Sequence, residues 1–389
     1  MNKMRILASV IFLCALQQMA YCDVANLNSV QRVAVTSGSV ALTSGSVQAM
    51  IDPADAKPLD ALIRTAMRRE SIAGISFALV KDGHIAYLQS YGYADTESSL
   101  PVTSQTLFSI GSIAKTFTAT AAMQLAEAGK LDLDAPIQMY VPYFPAKQWP
   151  VTSRQLLGHL GGIRSPGKEA FETSATAIVP GLSMFKDDAL VHEPGSKFMY
   201  TNYGYVLLAA AVEKAVRRPF VTQLRESIFE PSGMTHTVQD HQASSPLLAK
   251  GYALVPKKNS RFLDRKQVSS YQSTLGPGGF CCTAEDLARF AIAFQTDRLV
   301  TSTTRNLMWT EQSTTSNTKT GYGLGWFVAH DMNGPYVAHG GFVPGYLSML
   351  YILPEKQVAV VLLSNASNAK IGELARDLAA EASGEIRAW

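Results

Sequence analysis

The chain has 389 residues, of which 47% are hydrophobic and 17% are charged, the composition of a globular protein with one large domain or two closely packed subdomains. Its formal net charge of +3 falls to +1 when Lys3 and Arg5 of the leader described next are set aside. So small a charge excludes a basic surface for nucleic acid or for an anionic membrane, and neither is expected as a partner.

The first 22 residues have the pattern of a secretory signal peptide. They contain two basic residues and no acidic one, and their apolar run over residues 6–16 is too short to span a membrane as a helix. Ala20-Tyr21-Cys22 predicts cleavage near Cys22. We therefore expect a periplasmic or secreted protein whose mature chain has no membrane span. A lipid anchor on Cys22 is less favoured, because Tyr21 is bulkier than the residue expected before a lipidated cysteine.

Residues 23–52 repeat the motif Thr-Ser-Gly-Ser-Val and predict a flexible spacer, so the folded domain is expected over residues 53–389. The domain opens with a helix around residues 59–69. Two strands follow over residues 74–81 and 84–93, and the Asp82-Gly83 dipeptide between them is a strong hairpin signal.

A nucleophile is predicted at Ser112, which stands three residues before Lys115 at the start of a helical pattern. Both side chains then lie on one face of the first helical turn. A neutral lysine there can take the proton of the serine hydroxyl. Phe117, Ala121 and Leu125 recur every four residues behind this pair.

Spacing alone proves little, because Ser-x-x-Lys occurs five times in the chain. The other pairs lie near helix breakers, in loops rich in Ser, Thr and Asn, or before two consecutive aspartates. These are Ser165/Lys168, Ser183/Lys186, Ser316/Lys319 and Ser367/Lys370. The Ser112 pair alone is preceded by a glycine and followed by a long helical pattern.

The remaining pattern predicts an α/β fold of the α+β type. Helical patterns dominate the middle of the chain, at residues 155–160 and 205–215 among others, and a hairpin is predicted around Lys257-Lys258-Asn259. Thr283 is a predicted N-cap. Strands over 322–329, 346–353 and 358–364 precede a closing helix over 371–382. This order predicts one antiparallel sheet flanked by the terminal helices, with a mostly helical insert at about residues 116–274.

Two further motifs carry groups of catalytic type. Tyr200 and Asn202 form the sole Tyr-x-Asn of the chain, and a phenol can transfer a proton if neighbouring cations lower its pKa. Later, His339-Gly340-Gly341 precedes Phe342, where paired glycines let a backbone approach a ligand and an edge strand can donate an N–H group to an oxyanion. Alone, a Tyr-x-Asn motif usually marks a core tyrosine, and the His-Gly-Gly motif is also explained by a hairpin turn with an incidental histidine.

These three elements, in this order, resemble the serine β-lactamase-like superfamily of class C β-lactamases, penicillin-binding DD-peptidases and related esterases. The resemblance covers about residues 55–385. It is supported by residues 156–163, 278–280 and 322–326. The stretches 126–145 and 192–212 look most similar to the mitochondrial β-lactamase-like serine proteases and their bacterial relatives.

The resemblance implies an acyl-enzyme on Ser112, with Lys115 and Tyr200 as the proton-transfer pair and Asn202 positioning a small-molecule or peptide substrate. The N–H groups of Ser112 and Phe342 would form the oxyanion hole. No metal or cofactor is expected.

His339, with Gly340 and Gly341, stands where class C β-lactamases carry a lysine. This departure favours peptidases or esterases, because an imidazole is mostly neutral at pH 7 and becomes cationic only near pH ~6.5. Activity on anionic substrates would then rise as the pH falls. The literal Lys319-Thr320-Gly321 precedes the strand at residue 322, whereas the family requires it on the following strand, so Lys319 is interpreted as a coincidental match.

The leading hypothesis is an exported serine hydrolase that cleaves an amide or an ester. A β-lactamase is the alternative among enzymes, and a non-catalytic penicillin-recognising scaffold is the alternative of another class. His159 is expected to be structural. Cys281 and Cys282 are expected to be small packed residues.

Overall fold

The computed structural model describes residues 48–49, 53–167, 177–243, 247–256, 263–267 and 275–384. The predicted leader and most of the predicted spacer lie outside these ranges. Gln48–Ala49, at the end of that spacer, forms a short strand paired with Leu88 and Tyr87. The unpaired backbone groups of a sheet edge readily accept such a strand.

The strands are β1 Gln48–Ala49, β2 Gly74–Lys81, β3 His84–Asp95, β4 Leu100–Pro101, β5 Phe108–Ser109, β6 Val238–Gln239, β7 Tyr252–Pro256, β8 Leu263–Gln267, β9 Phe280–Cys282, β10 Phe327–Asp331, β11 Gly334–Val343, β12 Tyr346–Leu353 and β13 Val358–Ser364. The α-helices are α1 Pro53–Glu70, α2 Ala114–Glu127, α3 Ser153–Leu157, α4 Ile178–Ser183, α5 Asn202–Val216, α6 Phe220–Leu224, α7 Glu230–Ser232, α8 Ala284–Gln295, α9 Ser302–Met308 and α10 Ile371–Ala382. The short 3₁₀ or π turns are Gly111–Ile113, Ile137–Met139, Arg225–Phe229, Asp240–Gln242 and Pro354–Lys356.

Within the described ranges, one eight-stranded sheet runs in the order β1-β3-β2-β13-β12-β11-β10, with β4 beside β3. All of its pairs are antiparallel. The chain leaves this sheet after β4 and returns at β10, and helices dominate the segment between. The predicted fold class is therefore confirmed.

Both faces of the sheet are covered. Every residue of β13 is buried, and its alternate residues Ala359, Val361 and Leu363 join the core cluster that includes α2, α5 and α8. Successive side chains of a strand point to opposite faces, so the intervening residues pack on the other side. There α10 contacts β12, β13 and α1. The terminal helices thus flank the sheet as predicted.

Several predicted elements match closely. The hairpin strands β2 and β3 meet at Asp82-Gly83 and α10 covers residues 371–382, as expected. Thr283 caps α8 by accepting the N–H of Asp286. Strands β7 and β8 pair as the predicted hairpin, whose turn lies outside the described residues.

Two predictions on the last part of the sheet need correction. The strand expected from residue 322 begins only at Phe327, because Gly323 N–H donates to the Trp326 carbonyl at 2.8 Å and closes a turn. The strand that carries His339, β11, is not among the strands predicted from alternation, although its last residues were expected at a strand edge. Its sequence, Gly-Pro-Tyr-Val-Ala-His-Gly-Gly-Phe-Val, is interrupted by glycines and shows weak alternation.

No helix in the described part of the chain has the length and apolarity needed to span a membrane.

Candidate active site

Ser112 and Lys115 meet at the junction between the helical insert and the sheet. Ser112 lies half-buried in the turn Gly111–Ile113, and Lys115 follows in the first turn of α2. Lys115 Nζ is 2.9 Å from Ser112 Oγ, as their spacing predicts. The side chain of Lys115 is fully buried, and it forms no salt bridge with the described residues. Burial lowers the pKa of Lys115 well below its usual value, which favours the neutral amine.

Two acceptors from distant segments complete the surroundings of this amine. Asn202 Oδ1 lies 2.8 Å from Lys115 Nζ, and the Pro277 carbonyl oxygen lies 3.4 Å from it. The resemblance implies that Asn202 positions substrate, and the structure adds its contact with Lys115. No motif of the sequence predicts a role for Pro277. The sole sequence signal for that carbonyl is the Gly-Pro-Gly-Gly loop at residues 276–279.

Tyr200 lies against the same lysine. Lys115 Nζ is 4.7 Å from the centroid of the Tyr200 ring. The condition set for a proton-transferring phenol, a pKa lowered by neighbouring cations, is not met. Burial raises the pKa of Tyr200, and a hydrogen bond with Ser112 offsets only part of that effect. Tyr200 is therefore a neutral phenol, which can donate a proton.

Strand β11 runs directly against the turn that carries Ser112. An added Cβ at Gly111, where φ is +48°, would stand 2.9 Å from Phe342 N and 2.8 Å from Phe342 O. Gly341 packs on Ile110, whose carbonyl oxygen also accepts the Ser348 hydroxyl at 2.8 Å. The structure therefore brings the backbone of Phe342 beside the turn of Ser112.

We expect Gly341→Ala to destabilise the protein by about 2 kcal/mol or more, because the added Cβ would overlap the Ile110 carbonyl and the Ser348 hydroxyl. Gly340→Ala is the matched control. Its Cβ would lie 3.5 Å from Met349 Cε, an ordinary contact, so the change should be below about 1 kcal/mol. Denaturant unfolding of both variants measures the difference, and equal losses would contradict this account of the packing.

His339 lies beside the proposed site but is fully buried. Its Nδ1 is 2.8 Å from the Gly340 carbonyl oxygen, which can only accept, so Nδ1 carries the proton. Its Nε2 then accepts from the Tyr322 hydroxyl at 3.1 Å. Burial, with the charge of Lys115 as a smaller cause, lowers the pKa of His339 to about 3. The expected titration near pH 6.5 is therefore wrong.

We accordingly expect the ratio of kcat/KM for an anionic ester to that for a neutral ester to stay constant between pH 8 and pH 5. A depressed pKa of about 3 means that His339 gains its proton only below this window. p-Nitrophenyl hemisuccinate and p-nitrophenyl butyrate form a suitable pair, since effects of Lys115 on the chemistry are common to both. A rise of the ratio with a midpoint near pH ~6.5 would restore the cationic role of the imidazole.

The other Ser-x-x-Lys pairs and the Lys-Thr-Gly triplet make no described hydrogen bond to Ser112 or Lys115. Lys319 is exposed, and the Thr320 hydroxyl donates to the Gln312 carbonyl at 2.9 Å. Ser183 is exposed and donates to the Val179 carbonyl. Lys168 lies outside the described residues. None of these side chains bonds to Ser112 or Lys115 among the described contacts.

Cys281 and Cys282 are both buried in β9 with free thiols. Cys281 Sγ lies 3.2 Å from Asp240 Oδ1. Burial raises the pKa of both thiols, which keeps them protonated and unreactive. Among the described residues, no group of three or more His, Cys, Asp or Glu side chains is arranged to hold a metal ion.

Known proteins share the sequence pattern and the fold of this chain. The β-lactamase family model matches residues 59–383. The human mitochondrial serine β-lactamase-like protein LACTB is 29% identical over 387 aligned positions, which cover 73% of this chain and 69% of that protein. The octameric penicillin-binding protein homologue from Pyrococcus abyssi aligns with a TM-score of 0.76 at 29% identity, over 85% of this chain and 78% of that chain. D-amino acid amidase from Ochrobactrum anthropi shares the fold, with a TM-score of 0.71 at 22% identity over 85% of this chain and 99% of that chain.

Proposed function

Because the chain belongs to the β-lactamase family of serine hydrolases, we propose that it cleaves an ester or amide bond through an acyl-enzyme formed on Ser112. The observation that carries this proposal is the 2.9 Å contact between Ser112 Oγ and the amine of Lys115. That amine is buried, has no carboxylate partner among the described residues and is therefore favoured in its neutral, basic form.

The contacts of Lys115 orient its lone pair. A neutral amine has two N–H donors and one lone pair. Asn202 Oδ1 and the Pro277 carbonyl are acceptors, so each takes one donor. The lone pair remains for the hydroxyl proton of Ser112, which makes Lys115 the general base of acylation.

In acylation, Ser112 Oγ bonds to the carbonyl carbon of the substrate while its proton passes to Lys115. The N–H groups of Ser112 and Phe342 stabilise the oxyanion, supported by the close approach of β11 to the turn of Ser112. Tyr200, as a neutral phenol, gives its proton to the leaving group and recovers one from the ammonium of Lys115. Attack by water on the acyl-enzyme then releases the acid and restores Ser112.

The uncharged, buried state of His339 supports the proposal that the substrates are neutral. The resemblance places this residue where class C β-lactamases carry a lysine, and the imidazole is buried and uncharged at neutral pH. Both ring nitrogens are bonded within the protein. An ester or peptide without a carboxylate beside the scissile bond is therefore favoured over an anionic β-lactam.

One purified sample tests the proposal against its alternatives. A fluorophosphonate probe should label the wild type, and p-nitrophenyl esters should be turned over faster than nitrocefin. Fast nitrocefin hydrolysis would favour the β-lactamase alternative, and D-amino-acid peptides test for peptidase activity. An unlabelled, inactive protein would favour the non-catalytic scaffold.

Export is proposed on the pattern of the first 22 residues alone. Export is tested by recovering the protein from the periplasm or the medium of an expressing bacterium and measuring its mass. A chain that keeps residues 1–22 and stays in the cytoplasm would contradict export.

A further inference from the structure

His159 occupies an unusual backbone position in the turn after α3. Its φ is +58°, in the left-handed region that non-glycine residues enter only when their surroundings hold them there. It is the one buried residue among the described non-glycine residues with positive φ, and its exposed fraction is 1%. The other such residues are the exposed Ser71, Asp82, Ser99, Arg217, Asn317 and Gln357.

From this position His159 contacts three consecutive residues on another segment. Its carbonyl oxygen accepts the N–H of Met199 at 2.9 Å, and its Nδ1 accepts the N–H of Thr201 at 3.2 Å. Its ring packs on the ring of Tyr200, with centroids 4.3 Å apart. His159 Nε2 is buried and bonds to none of the described residues, and its backbone N–H donates to the Leu156 carbonyl oxygen at 3.2 Å within its own segment.

The segment that His159 contacts carries two proposed site residues. Tyr200 stacks beside the amine of Lys115, and Thr201 is the N-cap of α5, where its hydroxyl accepts the N–H of Tyr203. Asn202, the first residue of α5, accepts from Lys115. The orientation of both side chains therefore depends on how the backbone at Thr201 is fixed.

We propose that His159 is a positioning residue that, through its ring and its bond to the Thr201 N–H group, holds the Tyr200 hydroxyl in register with Lys115. The inference rests on the proposed function of Tyr200. His159 makes no described hydrogen bond to Ser112 or Lys115, so it acts through Tyr200 and Thr201. Burial lowers the pKa of His159 well below its usual value. Its Nδ1 therefore stays available as an acceptor across neutral pH.

His159→Asn is the informative variant. Asparagine tolerates a left-handed backbone and offers an oxygen near the place of Nδ1, so the protein should fold, while the ring that packs on Tyr200 is lost. We expect kcat for p-nitrophenyl butyrate to fall about 10-fold with KM within about two-fold, the pattern of a misplaced catalytic group. His84→Asn, the same substitution at an exposed position, should leave both constants unchanged.

A double-mutant cycle with Tyr200→Phe separates positioning from general destabilisation. If His159 acts through the Tyr200 hydroxyl, adding His159→Asn to Tyr200→Phe should lower kcat by no more than about two-fold. The same 10-fold loss in both backgrounds would overturn the proposal. So would an unchanged kcat of His159→Asn alone.

A spectroscopic measurement tests the positioning role of His159 independently of the proposed catalytic role of Tyr200. With 3-fluorotyrosine placed at position 200, the ¹⁹F resonance should shift or broaden in His159→Asn and stay unchanged in His84→Asn. An unchanged resonance in His159→Asn would overturn the positioning role. If Tyr200→Phe kept full activity, the proposed catalytic role of Tyr200 would fail, and the ¹⁹F spectrum alone would then decide whether His159 holds the ring.

Discussion

Replacing Ser112 with alanine should abolish ester turnover and covalent labelling by fluorophosphonate. The lost hydroxyl is the proposed nucleophile, and removal of a nucleophile of this kind costs on the order of 10⁴-fold or more in kcat. The fold should persist, because Ser112 is half-buried and its side-chain hydrogen bonds, with Lys115 and Tyr200, stay within the site. The thermal midpoint is therefore expected to change little.

Ser183→Ala is the matched control for this prediction. Ser183 belongs to another Ser-x-x-Lys, but it is exposed and bonds to the Val179 carbonyl within α4. Its loss should leave turnover and labelling at the wild-type level. Retention of more than a trace of activity by Ser112→Ala would assign the nucleophile to a different residue.

Lys115→Met and Tyr200→Phe should each lower the acylation rate by about 100-fold or more, the usual scale for removal of a positioned acid or base. Methionine has nearly the volume of lysine without its amine, so it fills the buried site. Asn202 Oδ1 and the Pro277 carbonyl then lose a shared donor, which should also lower stability by about 1–3 kcal/mol. Stopped-flow acylation and denaturant unfolding report the two effects separately.

The double variant of Lys115 and Tyr200 tests whether the two groups act as a unit. Its loss should be much smaller than the product of the single losses, because a proton relay fails when either member is missing. Full multiplicativity would show that they act independently. Lys319→Ala should keep the wild-type acylation rate, because Lys319 is exposed. A loss of about 100-fold in that variant would show that the family's triplet begins at Lys319 and not at His339.

The inference about His159 shows that a site can depend on a residue whose neighbours in the sequence carry no recognisable functional motif. The stretch Leu-Leu-Gly-His-Leu-Gly-Gly continues the helical pattern of residues 155–160, and by itself it predicts only a structural role for its histidine. The structure adds the left-handed backbone, the bond from the Thr201 N–H group and the packing of the imidazole on the Tyr200 ring. These contacts join segments 42 residues apart, and no local pattern encodes that distance.

By itself the sequence determined what depends on neighbours along the chain. The three-residue spacing of Ser112 and Lys115, the Asp82-Gly83 turn and the Thr283 cap follow from helical and strand periods and from local hydrogen bonds. The order of helical and strand patterns predicted one antiparallel sheet with a helical insert, and the resemblance carried by the ordered motifs supplied the family. The fold confirms the first and the comparisons confirm the second.

Only the tertiary structure decided the electrostatics of the site. Whether Lys115 is neutral, Tyr200 protonated and His339 uncharged depends on burial and on partners from distant segments, since desolvation sets the cost of each charged form. The sequence predicted an imidazole that titrates near neutrality, which is wrong, and it left open whether cations lower the pKa of the phenol, which they do not. The contact of Gly341 with Ile110 is likewise a property of packing, because β11 and the turn of Ser112 meet only in the folded chain.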